Sequence, residues 1–188
     1  MNAQVAVKMK SGPSIMLASG KWFDLLDPWN SDFSIRDIAQ GLANICRYSG
    51  QCKSFYSVAE HSIHVSDMVG NFKLEALLHD AAEAFLGDIT RPLKQLLPQY
   101  REIEASVENA IFTRFGLDPS SKVEIKAADL RVLAAEQSQV MPAGTDYWAA
   151  GSGIQTANIR VEFLSPPVAY DRFMAKYNEL TRCCGTRG

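Results

Sequence analysis

No stretch of this 188-residue chain approaches the roughly 18 uninterrupted apolar residues that a membrane-crossing helix requires. The lysines near its start are followed by no apolar run, so no secretory signal is expected. Charge of one sign is scarce as well. With 19 Lys and Arg against 21 Asp and Glu, the net charge is −2, which lacks the basic excess of a protein that coats DNA or RNA. An anionic ligand must then be met by a local cluster of cations or by a bound metal. Cysteine is limited to Cys46, Cys52, Cys183 and Cys184, without a CxxC pair. That pattern reads as reduced thiols in a cytoplasmic protein, a Cys46–Cys52 disulfide being the less expected alternative. The 47% apolar content excludes a disordered or low-complexity chain, and no internal repeat is present.

A chain of this length buries roughly 70% of its extended surface and supports one full core, so a single domain is expected. Residues 1–13 are polar and aperiodic and read as a tail. The domain is expected over 14–182, its helical core over 35–140, with 183–188 as a second tail. Weak alternation over 14–28, centred on Ser19 and Gly20, suggests a small hairpin. From Ser34 the pattern turns helical: Asp37 stands three residues on, and Ile35, Ile38, Ala39, Leu42 and Ile45 recur on one face. Ser57 with Glu60 marks a second helix start. Residues 74–86 read as one buried helix stopped by Gly87. Thr90 and Pro92 open a short helix, an amphipathic helix over 100–115 stops at Gly116, and another runs from Ser120 or Ser121 to about Val140. Residues 142–158 show no period, with Tyr147 and Trp148 either covering a ligand base or plugging the core. A short strand is expected over 159–164, pairing with the hairpin, then a helix from about Pro167. The expected fold class is all-α with a small marginal β-hairpin.

Histidine is rare, and all three, His61, His64 and His79, fall in one short stretch. His79 is followed by Asp80 within an apolar helix, where an uncompensated ionisable pair costs several kcal/mol. A divalent metal supplies the compensation, and imidazole with carboxylate suits Mn, Fe, Co, Ni or Zn better than an all-oxygen magnesium cage. Asp129, on an apolar helix between Ala128 and Leu130, is the best candidate for a further acid. Taken singly, a buried histidine is more often a hydrogen-bonded core residue and Asp129 a solvated one; the ordered set of His, His-Asp and Asp is harder to explain as packing.

The segments SVAEHSIHVS (57–66), LLHDAAEAFLGDITRPLK (77–94) and ADLRVLAAE (128–136) resemble the ligand helices of the HD-domain metal-dependent phosphohydrolases, in a stretch covering about 35–140. The middle segment is similar to the bacterial 5′-deoxynucleotidase branch and to related small deoxynucleotide triphosphohydrolases. The resemblance implies a helical bundle in which His61, His79, Asp80 and Asp129 bind one divalent ion, Mg²⁺ also being used in such sites. It gives Glu83 and Asp88 the positioning and activation of the attacking water. Glu83 shares a helix face with His79 and Asp80 by its spacing, whereas a surface acid for Glu83 and a turn residue for Asp88 are the plainer alternatives.

By the same resemblance Arg47 and Lys94 grip the substrate phosphate, with Arg91 and Lys53 as weaker candidates. Tyr48 replaces a tryptophan that packs near the sugar, which leaves sugar preference open. His64 reads as a supporting or packing residue. The implied activity is hydrolysis of the phosphate ester of a nucleotide, foremost a deoxynucleoside 5′-monophosphate. The alternatives are a deoxynucleoside triphosphate triphosphohydrolase and a nucleotide-binding regulator with little turnover. The expected partner is a small-molecule nucleotide, neither a nucleic acid polymer nor a membrane, and the family's frequent homo-oligomers allow a homodimer.

Overall fold

Strands β1 (Ser14–Met16) and β2 (Trp22–Asp24) pair antiparallel with Ile15 opposite Phe23, as the alternation around Gly20 predicts. The computed structural model that shows this describes residues 12–145 and 147–184, without the side chains of Cys183 and Cys184. Residues 1–11 of the tail expected over 1–13, residues 185–188 of the tail expected over 183–188, and the reading of Cys183 and Cys184 as thiols therefore lie outside what is described. Phe23 is fully buried; its ring stacks on Phe85 at 4.0 Å and meets Phe33 edge-on at 5.4 Å. These aromatic contacts fasten the hairpin to the helices.

Helix α1 (Ile35–Asn44) starts where its capping signal stands: the Asp37 carboxylate accepts from the Ser34 N–H at 2.9 Å and from its hydroxyl at 2.7 Å. Helix α2 (Val58–Met68) starts at Ser57, whose hydroxyl oxygen accepts from the Glu60 N–H at 3.1 Å. The continuous helix expected over 74–86 is broken. Helix α3 (Lys73–Leu77) stops short, α4 (Glu83–Leu86) resumes, and His79 and Asp80 sit in the turns between. There the backbone bonds span three residues: Ala81 N–H to Leu78 O at 3.1 Å and Glu83 N–H to Asp80 O at 3.0 Å. His79 Nδ1 lies 2.8 Å from the Ala76 carbonyl, the acceptor that an unbroken helix would offer to the Asp80 N–H.

Helix α1 crosses α4 at Gly41, where an added Cβ would stand 2.7 Å from the Ala84 backbone. Gly41→Ala is therefore expected to destabilise the protein by about 1–3 kcal/mol, read as a fall of several degrees in thermal unfolding. An unchanged midpoint would contradict that close crossing. Helix α4 ends at Gly87, whose φ of +82° favours glycine.

Helix α5 (Arg91–Leu96) carries Pro92 in its first turn, but the Thr90 side chain makes no capping bond, contrary to expectation. Helix α6 (Pro98–Phe115) ends at Gly116, α7 (Lys122–Val140) follows a short 3₁₀ turn, and α8 (Tyr147–Gly151) lies within the stretch that showed no period. The Trp148 indole N–H donates to Gln137, tying α8 to α7. Helix α9 (Pro166–Cys184) closes the order.

The strand expected over 159–164 does not form, because side chains take its backbone groups. The Gln139 amide donates to Ile159 O at 3.1 Å and accepts from Val161 N–H at 3.0 Å. The Glu60 carboxylate accepts from the Glu162 and Leu164 N–H groups at 2.6 and 2.8 Å, so it is not spent on a box with Ser57. Helix α2 is the central element, touching α1, α3, α7 and α9. The fold is all-α with one small hairpin, as the sequence implies. No helix among the described residues is long and apolar enough to cross a membrane. Cys46 and Cys52 are free thiols, their sulfurs 3.4 Å apart.

Candidate metal centre

Three separate pieces of chain meet around one small volume: α2 supplies His61, the break between α3 and α4 supplies His79 and Asp80, and α7 supplies Asp129. Ligand-type atoms of His61, His79 and Asp129 all lie within 4.8 Å of one another, a group that could hold a metal ion. His61 Nε2 is 3.4 Å from Asp129 Oδ1 and 3.5 Å from Asp80 Oδ2, and His79 Nε2 is 3.2 Å from Asp80 Oδ2. The Nε2 atoms of both histidines are buried with no hydrogen-bond partner among the described residues. Their Nδ1 atoms are committed elsewhere, His61 to the Glu136 carboxylate and His79 to the Ala76 carbonyl. Since a carbonyl only accepts, His79 donates from Nδ1 there, and its Nε2 is turned toward Asp80. Metal-binding histidines have this arrangement, with the outer nitrogen tied and the inner one presented.

The charges are balanced within the cluster. Burial and the Arg47 charge push the His61 pKa down, but the Glu136 charge and the Asp129 and Glu136 carboxylates as acceptors for the protonated ring outweigh them and bring it up to about 9. Burial raises Asp80, yet the adjacent His79 and then His61 hold it well below the carboxylate range. Burial likewise raises Asp129, while His61, His79 and Lys126 hold it far below. A proton shared among these groups and a divalent cation compete for the same place, since both answer the same excess of acceptors.

Glu136 is a functional candidate that the sequence reading passed over. It is fully buried, two turns along α7 from Asp129 and on the same face. Its Oε2 accepts from Arg47 Nε at 3.1 Å and from the Tyr48 hydroxyl at 3.1 Å. The seven-residue spacing that puts Asp129 and Glu136 on one helix face was the available signal. Arg47 is nearly buried, with Nη1 3.7 Å from Asp80 Oδ2. Tyr48 holds a left-handed backbone, φ +57°, where non-glycine residues are strained, and its ring lies 5.5 Å from the Arg47 guanidinium.

Glu83 is buried at the start of α4, with Oε1 3.4 Å from Lys94 Nζ and Oε2 without a partner. Burial, then the charges of Asp80 and Asp88, raise its pKa well above the ordinary value against the pull of Lys94 and Arg47. Lys94 Nζ also binds Glu104 at 2.6 Å, so the cation expected to grip phosphate is held by two acids. Asp88 is half-buried and makes no side-chain hydrogen bond or ion pair among the described residues. His64 faces Glu60, Nε2 to Oε1 at 3.8 Å, rather than the cluster. The structure thus gathers Arg47, His61, His79, Asp80 and Asp129 into one connected group, with Glu83 and Lys94 forming a pair beside it.

A cavity of about 210 Å³ opens on this group, lined by His79, Asp80 and Asp129, by Glu108 and Phe112 of α6, and by Lys122 and Lys126 of α7. Lys126 is paired with Asp129 at 2.6 Å. A roomier groove of about 480 Å³ along residues 160–163 is lined by neither histidine nor by Asp80 or Asp129, which makes the smaller cavity the one with chemistry.

No protein-family model matches the chain. It is 40% identical over 165 residues to YfdR of Escherichia coli (strain K12), an uncharacterized protein, covering 87% of this chain and 93% of YfdR. It is 34% identical over 185 residues to RCAP_rcc00048 of Rhodobacter capsulatus, also an uncharacterized protein, covering 88% of this chain and 94% of that one.

Proposed function

The chain belongs to the family that contains YfdR of E. coli, and from its own side-chain cluster and the resemblance of its three sequence segments we propose a metal-dependent phosphohydrolase of the HD-domain type. The substrate is the phosphate ester of a nucleotide, foremost a deoxynucleoside 5′-monophosphate. One observation carries the reading: two buried imidazole Nε2 atoms, unpartnered and with tied outer nitrogens, face a pair of carboxylates. His61, His79, Asp80 and Asp129 would hold a single divalent ion, the two carboxylates matching its charge. This mixed nitrogen and oxygen set suits Mn²⁺, Fe²⁺, Co²⁺, Ni²⁺ or Zn²⁺. When bound, such an ion lowers the pKa of a water and draws charge from phosphoryl oxygens.

The chain's own groups do the rest. Glu83, with its raised pKa, takes a proton from water as the water oxygen bonds to phosphorus, and Asp88 orients that water. The phosphorus–oxygen ester bond breaks, the leaving oxygen takes up a proton from Glu83 or from solvent so that Glu83 is again free of its proton at the end, and the alcohol and orthophosphate are released. Arg47, anchored through Nε and with Nη1 3.7 Å from Asp80 Oδ2, presents its terminal nitrogens to a phosphate oxygen beside that carboxylate. Lys94 steadies Glu83 and, following the resemblance, reaches the same phosphate.

Lys122 and Lys126 beside the cavity favour a second reading, a nucleoside triphosphate cleaved to tripolyphosphate. A nucleotide panel with Mn²⁺ or Co²⁺ tests both. Expected is orthophosphate from a monophosphate, abolished by chelation and restored by metal. Tripolyphosphate as product would select the second reading, and absence of hydrolysis across the panel would refute both and leave a binding protein.

A further inference from the structure

Glu136 is fully buried on α7, next to the buried Ala134 and Ala135 and one turn before the buried Val140. A carboxylate in such a place costs several kcal/mol in lost hydration unless it is paired, and a similar-sized apolar side chain would avoid that cost. Its two oxygens are divided. Oε1 takes the Nδ1 side of His61, and Oε2 takes Arg47 Nε and the Tyr48 hydroxyl, both at 3.1 Å. One carboxylate therefore touches a residue of the candidate metal cluster and a residue expected to meet phosphate, which stand 14 positions apart in sequence on different elements.

We propose that Glu136 is a positioning residue serving both halves of the site. On the His61 side it fixes the ring proton on Nδ1, so that the Nε2 lone pair faces Asp80 and Asp129, and it makes that imidazole a more basic ligand. On the Arg47 side it holds the guanidinium by its inner nitrogen, leaving the outer ones on the Asp80 side, where Nη1 lies 3.7 Å from Oδ2. The inference rests on the metal-phosphohydrolase reading and adds to it a residue that touches neither the ion nor the substrate.

Glutamine at this position separates the two duties, because it offers one acceptor and one donor. A buried guanidinium is always a donor and cannot face an amide NH₂, whereas a neutral imidazole can move its proton. In Glu136→Gln the amide oxygen therefore turns to Arg47, and its NH₂ faces His61 Nδ1. That drives the ring proton onto Nε2, the nitrogen needed for metal.

Titration of the whole purified protein with Mn²⁺ alone, followed by calorimetry, reads this directly. Glu136→Gln is expected to keep its helical circular dichroism and to bind Mn²⁺ about 10–100-fold more weakly, as loss of a partner behind a metal-bound histidine does. At saturating Mn²⁺ its affinity for inorganic phosphate stays close to that of the parent, while Glu136→Ala, which releases Arg47 too, weakens both. A purely structural role would lower the melting temperature and leave Mn²⁺ affinity of the folded variant unchanged. That result overturns the assignment. Should neither variant fold, the ¹⁵N imidazole spectrum of the Zn²⁺-loaded parent decides: coordination through Nε2 with Nδ1 protonated is expected, and coordination of His61 through Nδ1 overturns it. A parent protein that binds neither Mn²⁺ nor Zn²⁺ refutes the metal reading itself, and the role of Glu136 with it; a parent that binds while Glu136→Gln binds equally refutes Glu136 alone.

Discussion

Asp80→Ala is expected to lose metal and activity together. Asp80 Oδ2 stands 3.2 Å from His79 Nε2 and 3.5 Å from His61 Nε2, so it meets both imidazoles and supplies one of the two negative charges of the cluster. Without it, two imidazoles and one carboxylate face a divalent ion and leave a net positive charge in a largely buried space. Mn²⁺ affinity should fall by more than the about 10–100-fold that loss of a supporting partner costs. Phosphate release should fall by about a thousandfold or more, because the electrostatic centre of the site goes with it. Calorimetry with Mn²⁺ and a phosphate-release assay on the same folded variant check this. Parent-like Mn²⁺ binding by Asp80→Ala would remove Asp80 from the ligand set.

Glu83→Gln is expected to keep the metal and lose the rate. The substitution preserves size and an oxygen for Lys94, but it cannot take a proton from water, so kcat should drop by about 10²–10⁴-fold with Mn²⁺ affinity near that of the parent. Stability should move the other way. Burial, reinforced by Asp80 and Asp88, raises the folded-state pKa of Glu83 above its ordinary 4.5. Between 4.5 and that raised value the folded state binds more protons than the unfolded one, so this residue's contribution falls as pH rises through the window. Glutamine does not titrate. The variant should therefore melt at or above the parent temperature at pH 7–8, and its advantage should shrink toward pH 4. An active Glu83→Gln would end the assignment of proton transfer to this residue, and a variant less stable at pH 8 than at pH 5 relative to the parent would contradict the burial argument.

What was legible in the sequence was local. The Ser34–Asp37 capping pair, the stops at Gly87 and Gly116 and the turn at Gly20 are each decided within a few residues, and the structure has them where the pattern puts them. The helix break at His79 was not legible, because the apolar pattern of 74–86 runs through it and the cause is one imidazole reaching back to Ala76 O. The failed strand at 159–164 has a distant cause. Its backbone is satisfied by Glu60 and Gln139, and the first of these lies about a hundred residues away in sequence. Residue type and order singled out His61, His79, Asp80 and Asp129; the fold brings ligand atoms of His61, His79 and Asp129 within 4.8 Å of one another and sets Asp80 beside both imidazoles. Glu136 lies on the same helix as Asp129 but is not legible from sequence, since its meaning comes from Arg47, 89 positions earlier, and not from its neighbours. Lys94 had the right type for phosphate, yet Glu83 and Glu104 claim it in the fold.

Crystals of the full chain soaked in Mn²⁺ and measured near the manganese absorption edge place the ion without any assumption about substrate. One anomalous peak per chain is expected, within coordination distance of His61 Nε2, His79 Nε2, Asp80 and Asp129. A map with no peak among those four side chains, or with its peak elsewhere on the molecule, would contradict a metal-dependent hydrolase built on them.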